Sequence, residues 1–225
     1  MGNKPNHLLT FTAMLGLYAD SIRVSFGDRP VLTDMHIHCL PGEVVALMGR
    51  NGCGKSTLLK ILFGVQAAEN LHLKVNGKVL LHPYRFNRHL AYLPQDSFLP
   101  PHLHVKNVLN HIQDLPIPEA LWVLRRSRCG ELSGGENRLL EILFVLSRPV
   151  PYILLDEPFN GCSPLVVQEI KNVLRKASEN KKGLIITDHL YTHVWEVMNR
   201  CYLMKDGAMH LIKEKEELSM WGYLP

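Results

Sequence analysis

The chain has 225 residues, of which 46% are hydrophobic and 20% charged, enough for a sizeable core without disulfides or metals. A formal net charge of +4 with no block of like charges excludes a nucleic-acid-binding arm; no nucleic acid is expected as a partner, whereas nucleotide phosphates or an anionic membrane surface suit that sign. The five cysteines (Cys39, Cys53, Cys129, Cys162 and Cys201) are odd in number and form no C-x-x-C, which points to thiols in a reducing compartment.

At the N-terminus, HLLTFTAMLGLYAD imitates a signal peptide in length, but residues 15–22 read better as a first core strand. Met14 is an alternative start, so residues 1–14 read as an N-terminal extension. No apolar run approaches the roughly 18–20 residues that cross a bilayer. Strands follow in VSFGDRPVL and PGEVVALMG, parted by the turn signals Asp28, Pro30, Pro41 and Gly42. EVVALM is continuously apolar, as expected of a strand buried on both faces. A helix begins near Lys55 with Leu58, Leu59, Ile61, Leu62 and Phe63 as its apolar content. Asn76-Gly77 within HLKVNGKVLL predicts a two-residue hairpin, and LAYLPQD a strand ending in a turn.

From Phe98 the composition changes. Pro100, Pro101, Pro116 and Pro118 punctuate helical pieces such as VKNVLNHIQ and EALWVLRRS, so residues 98–131 read as a short helical insertion. Alternation then resumes with YILLDE, a helix from Pro164, GLIITDH, a helix through Trp195 and a hairpin around Asp206-Gly207. Strands alternating with helices predict an α/β sheet. HIHC at residues 36–39 fits alternating strand faces better than a metal site.

GRNGCGKST, residues 49–57, fits G-x-x-x-x-G-K-[ST] between a buried strand and a helix. Its glycines, Gly49, Gly52 and Gly54, let the backbone N–H groups of a loop that also holds Arg50, Asn51 and Cys53 curl around phosphates. Lys55 is placed to reach the β- and γ-phosphates, and Ser56, followed by Thr57, to ligate Mg²⁺. Cys53 occupies a variable position of the pattern. In YILLDEP the apolar run delivers Asp156 to a strand end, where a carboxylate holds Mg²⁺ or its water shell, while Glu157 is placed to act as general base. Further on, Gly134 and Gly135 precede a long apolar run, and Ser133-x-x-Glu136 is a capping-box pattern.

These motifs, in this order and from Leu15 nearly to the end, resemble those of the ATP-binding-cassette (ABC) ATPases. GRNGCGKST resembles the Walker A loop, YILLDEP the Walker B strand, and LSGGE the family signature usually written LSGGQ. Gln95 falls at the Q-loop glutamine, His189 at the switch histidine, and Phe26 where the family places an adenine-stacking aromatic. Ser163 stands where many cassettes carry the D-loop aspartate, and the interval from Gln95 to Ser133 is shorter than in most members.

The resemblance implies one domain over residues 1–225: an α/β P-loop NTPase core with a mixed sheet, an N-terminal antiparallel β subdomain and a short inserted helical subdomain. It implies ATP and Mg²⁺ as cofactors, with Gln95 joining Ser56 and Asp156 at the metal and His189 contacting the γ-phosphate. Two cassettes, identical or paralogous, would pair head to tail, each presenting Ser133, Gly134, Gly135 and Glu136 to the other's ATP. The expected setting is the cytoplasmic face of the cell membrane, beside integral membrane transporter subunits. A soluble ABC ATPase, for example in iron–sulphur cluster assembly, is the alternative. A P-loop kinase or GTPase is opposed by the signature and by the lack of an N-K-x-D motif, and a non-catalytic cassette by the intact acid pair.

Overall fold

The computed structural model describes residues 15–81 and 88–223. The N-terminal extension expected over residues 1–14 lies outside the described residues. The strands are β1 (Leu17–Phe26), β2 (Arg29–Cys39), β3 (Val44–Gly49), β4 (Asn70–Val75), β5 (Lys78–Val79), β6 (Leu90–Leu93), β7 (Tyr152–Asp156), β8 (Gly183–Thr187), β9 (Arg200–Lys205) and β10 (Ala208–Ile212). The helices are α1 (Lys55–Phe63), α2 (Val105–Leu109), α3 (Glu119–Val123), α4 (Gly134–Leu146), α5 (Pro164–Glu179), α6 (Tyr191–Trp195) and α7 (Lys215–Met220).

Two sheets form. An antiparallel sheet runs β2-β1-β4-β5, and a mixed sheet runs β10-β9-β3-β8-β7-β6, parallel except for the β9–β10 hairpin. Both predicted hairpins turn on residues in the left-handed region: Asn76 and Gly77 at φ 49° and 78°, Asp206 and Gly207 at 51° and 74°. Positive φ at both central residues matches the right-handed twist of the flanking strands.

The continuously apolar β3 and β7 are buried on both faces, and their alternation sorts side chains into two cores. Val44, Ala46 and Met48 join Ile153, Leu155, Leu184 and Ile186 beneath α4 and α5. Val45, Leu47, Leu154 and Ile185 face the other way, toward α1 and the antiparallel sheet. Helix α1 thus buries Leu58, Leu59, Ile61 and Leu62 between the sheets. On α5, all five predicted core positions, Val167, Ile170, Val173, Leu174 and Ala177, are buried.

The first strand differs from the reading over residues 15–22: it starts at Leu17 and continues to Phe26. A register shift between Ala19 and Ile22, with Ser21 at φ 55°, inserts an extra residue. Buried positions therefore change from Leu17 and Ala19 to Ile22 and Val24, which breaks the strict alternation that marks a strand in sequence. Between β6 and α4, α2 and α3 are single short helices pinned by Val105, Val108, Leu109 and Leu121 to the core under α4.

Gly183, which opens β8, is required for space. A Cβ there would lie 2.5 Å from the Tyr152 ring and 2.9 Å from the Leu40 carbonyl oxygen. The ring cannot withdraw easily, because Tyr152 is fully buried and its hydroxyl donates to Asn76 Oδ1 at 2.9 Å. Gly183→Ala is expected to lower stability by about 1–3 kcal/mol through overpacking, read as a fall in the urea midpoint at unchanged m-value.

Candidate functional site

The loop leaving β3 wraps back on itself before α1. Gly54, at φ 103°, is the N-cap of α1 and supplies no side-chain cap, so the first helical N–H groups point outward unsatisfied by a cap. That end is a ready anion site. Lys55 is buried against the loop, its Nζ donating to the carbonyls of Gly49 at 2.7 Å and Arg50 at 3.2 Å. The Arg50 side chain turns away, its Nη2 donating to Gly222 O at 3.0 Å, so at this position only backbone faces the cradle. Cys53 is half-buried, and burial pushes its thiol pKa up, which keeps it protonated and unreactive.

Asp156 ends β7 with only 1% of its surface exposed. Its carboxylate accepts from Ser56 Oγ at 3.0 Å, Thr187 Oγ1 at 2.6 Å and Tyr92 OH at 3.0 Å. Burial, reinforced by the Asp156 charge, pushes the Tyr92 phenol well above its ordinary range, so it stays a donor. Sequence reasoning passed over Tyr92 and Thr187. Their only signal was a polar atom at the end of a strand adjacent to β7.

Glu157 follows in the left-handed region at φ 49°, a conformation that costs an ordinary residue about 1–3 kcal/mol. Its N–H donates to Thr187 O at 2.9 Å. The turn reverses the side chain away from Asp156 into the cleft, where Oε2 accepts from Gln95 Nε2 at 3.1 Å and Asn160 Nδ2 at 3.3 Å. His189 Nδ1 lies 3.6 Å from the same oxygen and 3.7 Å from Asp188 Oδ1. The buried Asp188 carboxylate accepts from Leu190 N at 2.8 Å and Phe159 N at 3.1 Å, tying the His189 loop to the end of β7. Asn160 and Asp188 went unread; the adjacency of Asp188 to His189 after an apolar strand was the available hint.

A cleft of about 660 Å³ gathers these groups, lined by Phe26, Gly52, Gly54, Lys55, Ser56 and Thr57 on one side and Gln95, Glu157, Asn160 and His189 on the other. Phe26 is 56% exposed at its rim, so its ring is available rather than packed in the core. Residues 133–136 are not part of this wall. They open α4, where Ser133 Oγ accepts from Glu136 N at 3.3 Å and Glu136 Oε2 accepts from Ser133 N at 2.8 Å and Ser133 Oγ at 2.7 Å. A Cβ on Gly135 would touch Val166 at 3.4 Å, whereas one on Gly134 would meet nothing within 4 Å. Ser163 caps α5, accepting from Val166 N, and carries no charge into this corner.

A phosphate cradle on a parallel α/β sheet, with adjacent acids at the neighbouring strand end, defines a P-loop nucleoside triphosphatase. The family model described as ABC transporter matches residues 32–160. The chain is 31% identical over 221 residues to the lipopolysaccharide export system ATP-binding protein LptB of Acidithiobacillus ferridurans, covering 90% of this chain and 91% of that protein. It is 32% identical over 218 residues to LptB of Escherichia coli (strain K12), covering 88% and 90%. A solved structure of an ATP binding subunit of an ABC transporter superposes with a TM-score of 0.79 at 21% identity, covering 92% of this chain and 94% of that one. The chain belongs to the ABC transporter family. It is an ATP-binding subunit and an ATPase coupled to transport; these relatives lend no support to the soluble alternative.

The Glu136 bonds yield a test of the signature's charge. A glutamine retains an oxygen that can accept from Ser133, so Glu136→Gln should change stability by no more than about 0.5 kcal/mol. On the head-to-tail pairing that the family resemblance implies, removing this negative charge should tighten ATP-driven dimerisation several-fold, measured by sedimentation velocity with ATP. Weaker dimerisation would overturn the repulsion argument.

Proposed function

We propose that two cassettes meet head to tail, so that ATP held by the cradle of one is completed by Ser133, Gly134 and Gly135 of the other. The observation that carries this reading is Gly134. Its backbone has no positive φ and its missing side chain leaves no intramolecular clash, so its smallness answers to something outside the chain. The absence of residues 133–136 from the cradle's own cleft supports the same reading.

Within each site, Phe26 stacks on the base and the α1 N-terminus with Lys55 holds the phosphates, Lys55 exchanging its present bonds to Gly49 and Arg50 for phosphate oxygens. The oxygen donors fit Mg²⁺: Ser56 Oγ and Asp156 Oδ1 lie 3.0 Å apart at the cleft, and Gln95, whose amide nitrogen is engaged by Glu157, offers Oε1. Mg²⁺, when bound, neutralises charge developing on the β- and γ-phosphate oxygens. Glu157, its carboxylate oriented by Gln95 and Asn160, accepts the proton of the attacking water, and His189 orients that water at the γ-phosphate. The uncharged Ser163 tunes communication between the sites.

No helix among the described residues is long and apolar enough to cross a membrane. The relatives are ATP-binding subunits of transporters, which supports the reading that the cassette acts on separate integral membrane subunits from the cytoplasmic face of the cell membrane. Co-purification with such subunits tests this placement.

Lys55→Ala removes the phosphate cation and is expected to abolish ATP binding and turnover; unchanged hydrolysis would sink the site. Glu157→Gln should retain ATP binding while kcat falls about 100-fold or more, trapping a closed dimer visible by size exclusion with ATP. A monomer under those conditions would refute either the base or the pairing.

A further inference from the structure

One buried charged pair remains outside this account. Arg138 and Glu141 sit one turn apart on α4, their side chains 8% and 1% exposed, with Nη1 3.4 Å from Oε2. Arg138 Nη1 also donates to Pro94 O at 2.7 Å, and its Nη2 donates to Asp156 O at 2.5 Å and Glu157 O at 3.2 Å. Glu141 Oε1 accepts from Ser97 Oγ at 2.6 Å and Phe98 N at 2.9 Å. Together the pair grips both sides of Gln95 and both carbonyls that frame the left-handed turn at Glu157.

Helix packing does not call for these charges. The core cluster beneath α4 is largely aliphatic, and a buried ion pair is commonly no more stabilising than hydrophobic residues of the same volume. Their chemistry is directional: a guanidinium holds several carbonyls in one plane, which neither a methylene chain nor an ammonium can do. Arg138 lies five residues beyond Ser133 on the same rigid helix, about 7.5 Å along its axis at 1.5 Å per residue. Any displacement of the helix N-terminus is therefore passed to the carbonyls of Asp156 and Glu157 and to Pro94.

We infer that Arg138, held by Glu141, is a positioning residue that couples engagement of this chain's signature with the other ATP to the placement of its own Glu157 and Gln95. This rests on the head-to-tail reading above. The pair does not touch ATP; it sets where the base and the Q-loop amide stand. Hydrolysis in one site is thereby made to depend on occupancy of the other.

The test compares full-length Arg138→Met, Arg138→Lys and Glu141→Gln with the parent chain, by steady-state ATPase kinetics and thermal unfolding. Arg138→Met is expected to lower kcat by about 10- to 100-fold, the penalty of a misplaced catalytic group, with KM near the parent value and the Hill coefficient falling toward one. Arg138→Lys should recover only part of kcat, since an ammonium cannot span Pro94, Asp156 and Glu157. Glu141→Gln keeps the shape and the acceptor for Ser97, so it should fold if Arg138→Met does not, and should show the same selective loss of kcat. In the Glu157→Gln background, Arg138→Met should still form the ATP-bound dimer, because phosphate binding is intact. Parent-like kcat and cooperativity in Arg138→Met would overturn the inference. So would parallel losses of KM, kcat and melting temperature in every variant, which would mark a structural staple. Failure of the head-to-tail reading itself would show separately, as a Glu157→Gln chain that does not dimerise with ATP.

Discussion

A carboxylate at the end of a buried strand must be met by hydrogen-bond donors, and meeting it fixes the places of three other elements. Asp156 receives the hydroxyls of Ser56 from α1, Thr187 from β8 and Tyr92 from β6. An unsatisfied buried charge costs several kcal/mol, so the phosphate loop, the switch strand and the strand before the Q-loop cannot drift apart without that loss. The parallel order β8-β7-β6 makes these neighbours at one sheet edge, where loops of an open α/β sheet converge. The cleft is thus a consequence of satisfying one acid.

The next residue resolves the opposite problem. Glu157 must face the cleft although strand alternation alone would bury it or turn it behind the sheet. Its left-handed backbone, the Thr187 carbonyl and the Arg138 guanidinium together reverse the chain at that point. Strain at a functional turn persists only where surrounding bonds over-determine it. Here the bonds come from β8 and α4, so the base is set by elements that also carry His189 and the signature.

Much of this arrangement could be read in the chain. The continuous apolar runs of β3, β7 and β8, both hairpins and the buried face of α5 follow from local pattern, and the phosphate loop from its residue spacing. The α/β class was legible for the same reason, whereas the antiparallel sheet and the mixed sheet were expected only from the resemblance to the ABC ATPases. The first strand was blurred because its bulge exchanges odd for even buried positions. Arg138, Glu141, Asn160 and Tyr92 were not legible, because each acts on an atom brought near by tertiary structure. Arg138 and Glu141 in particular look like an ordinary surface pair at helical spacing, and only their burial beside Pro94 and Glu157 reveals otherwise. The Ser133–Glu136 capping box is the converse: a local motif whose partners are all within four residues, and therefore visible from spacing alone.

Gly134 occupies open space in the isolated chain, so the fold exerts no restraint on what stands there. Under the head-to-tail reading, a bulky residue at this position would leave a protein that is made and folds like any other. Each such subunit would then spoil the site of the partner it joins, so the harm would spread in proportion to assembly rather than to loss of the altered chain. In a population of mixed subunits, that makes this small surface a point of genetic dominance, invisible to any screen that scores solubility or thermal stability.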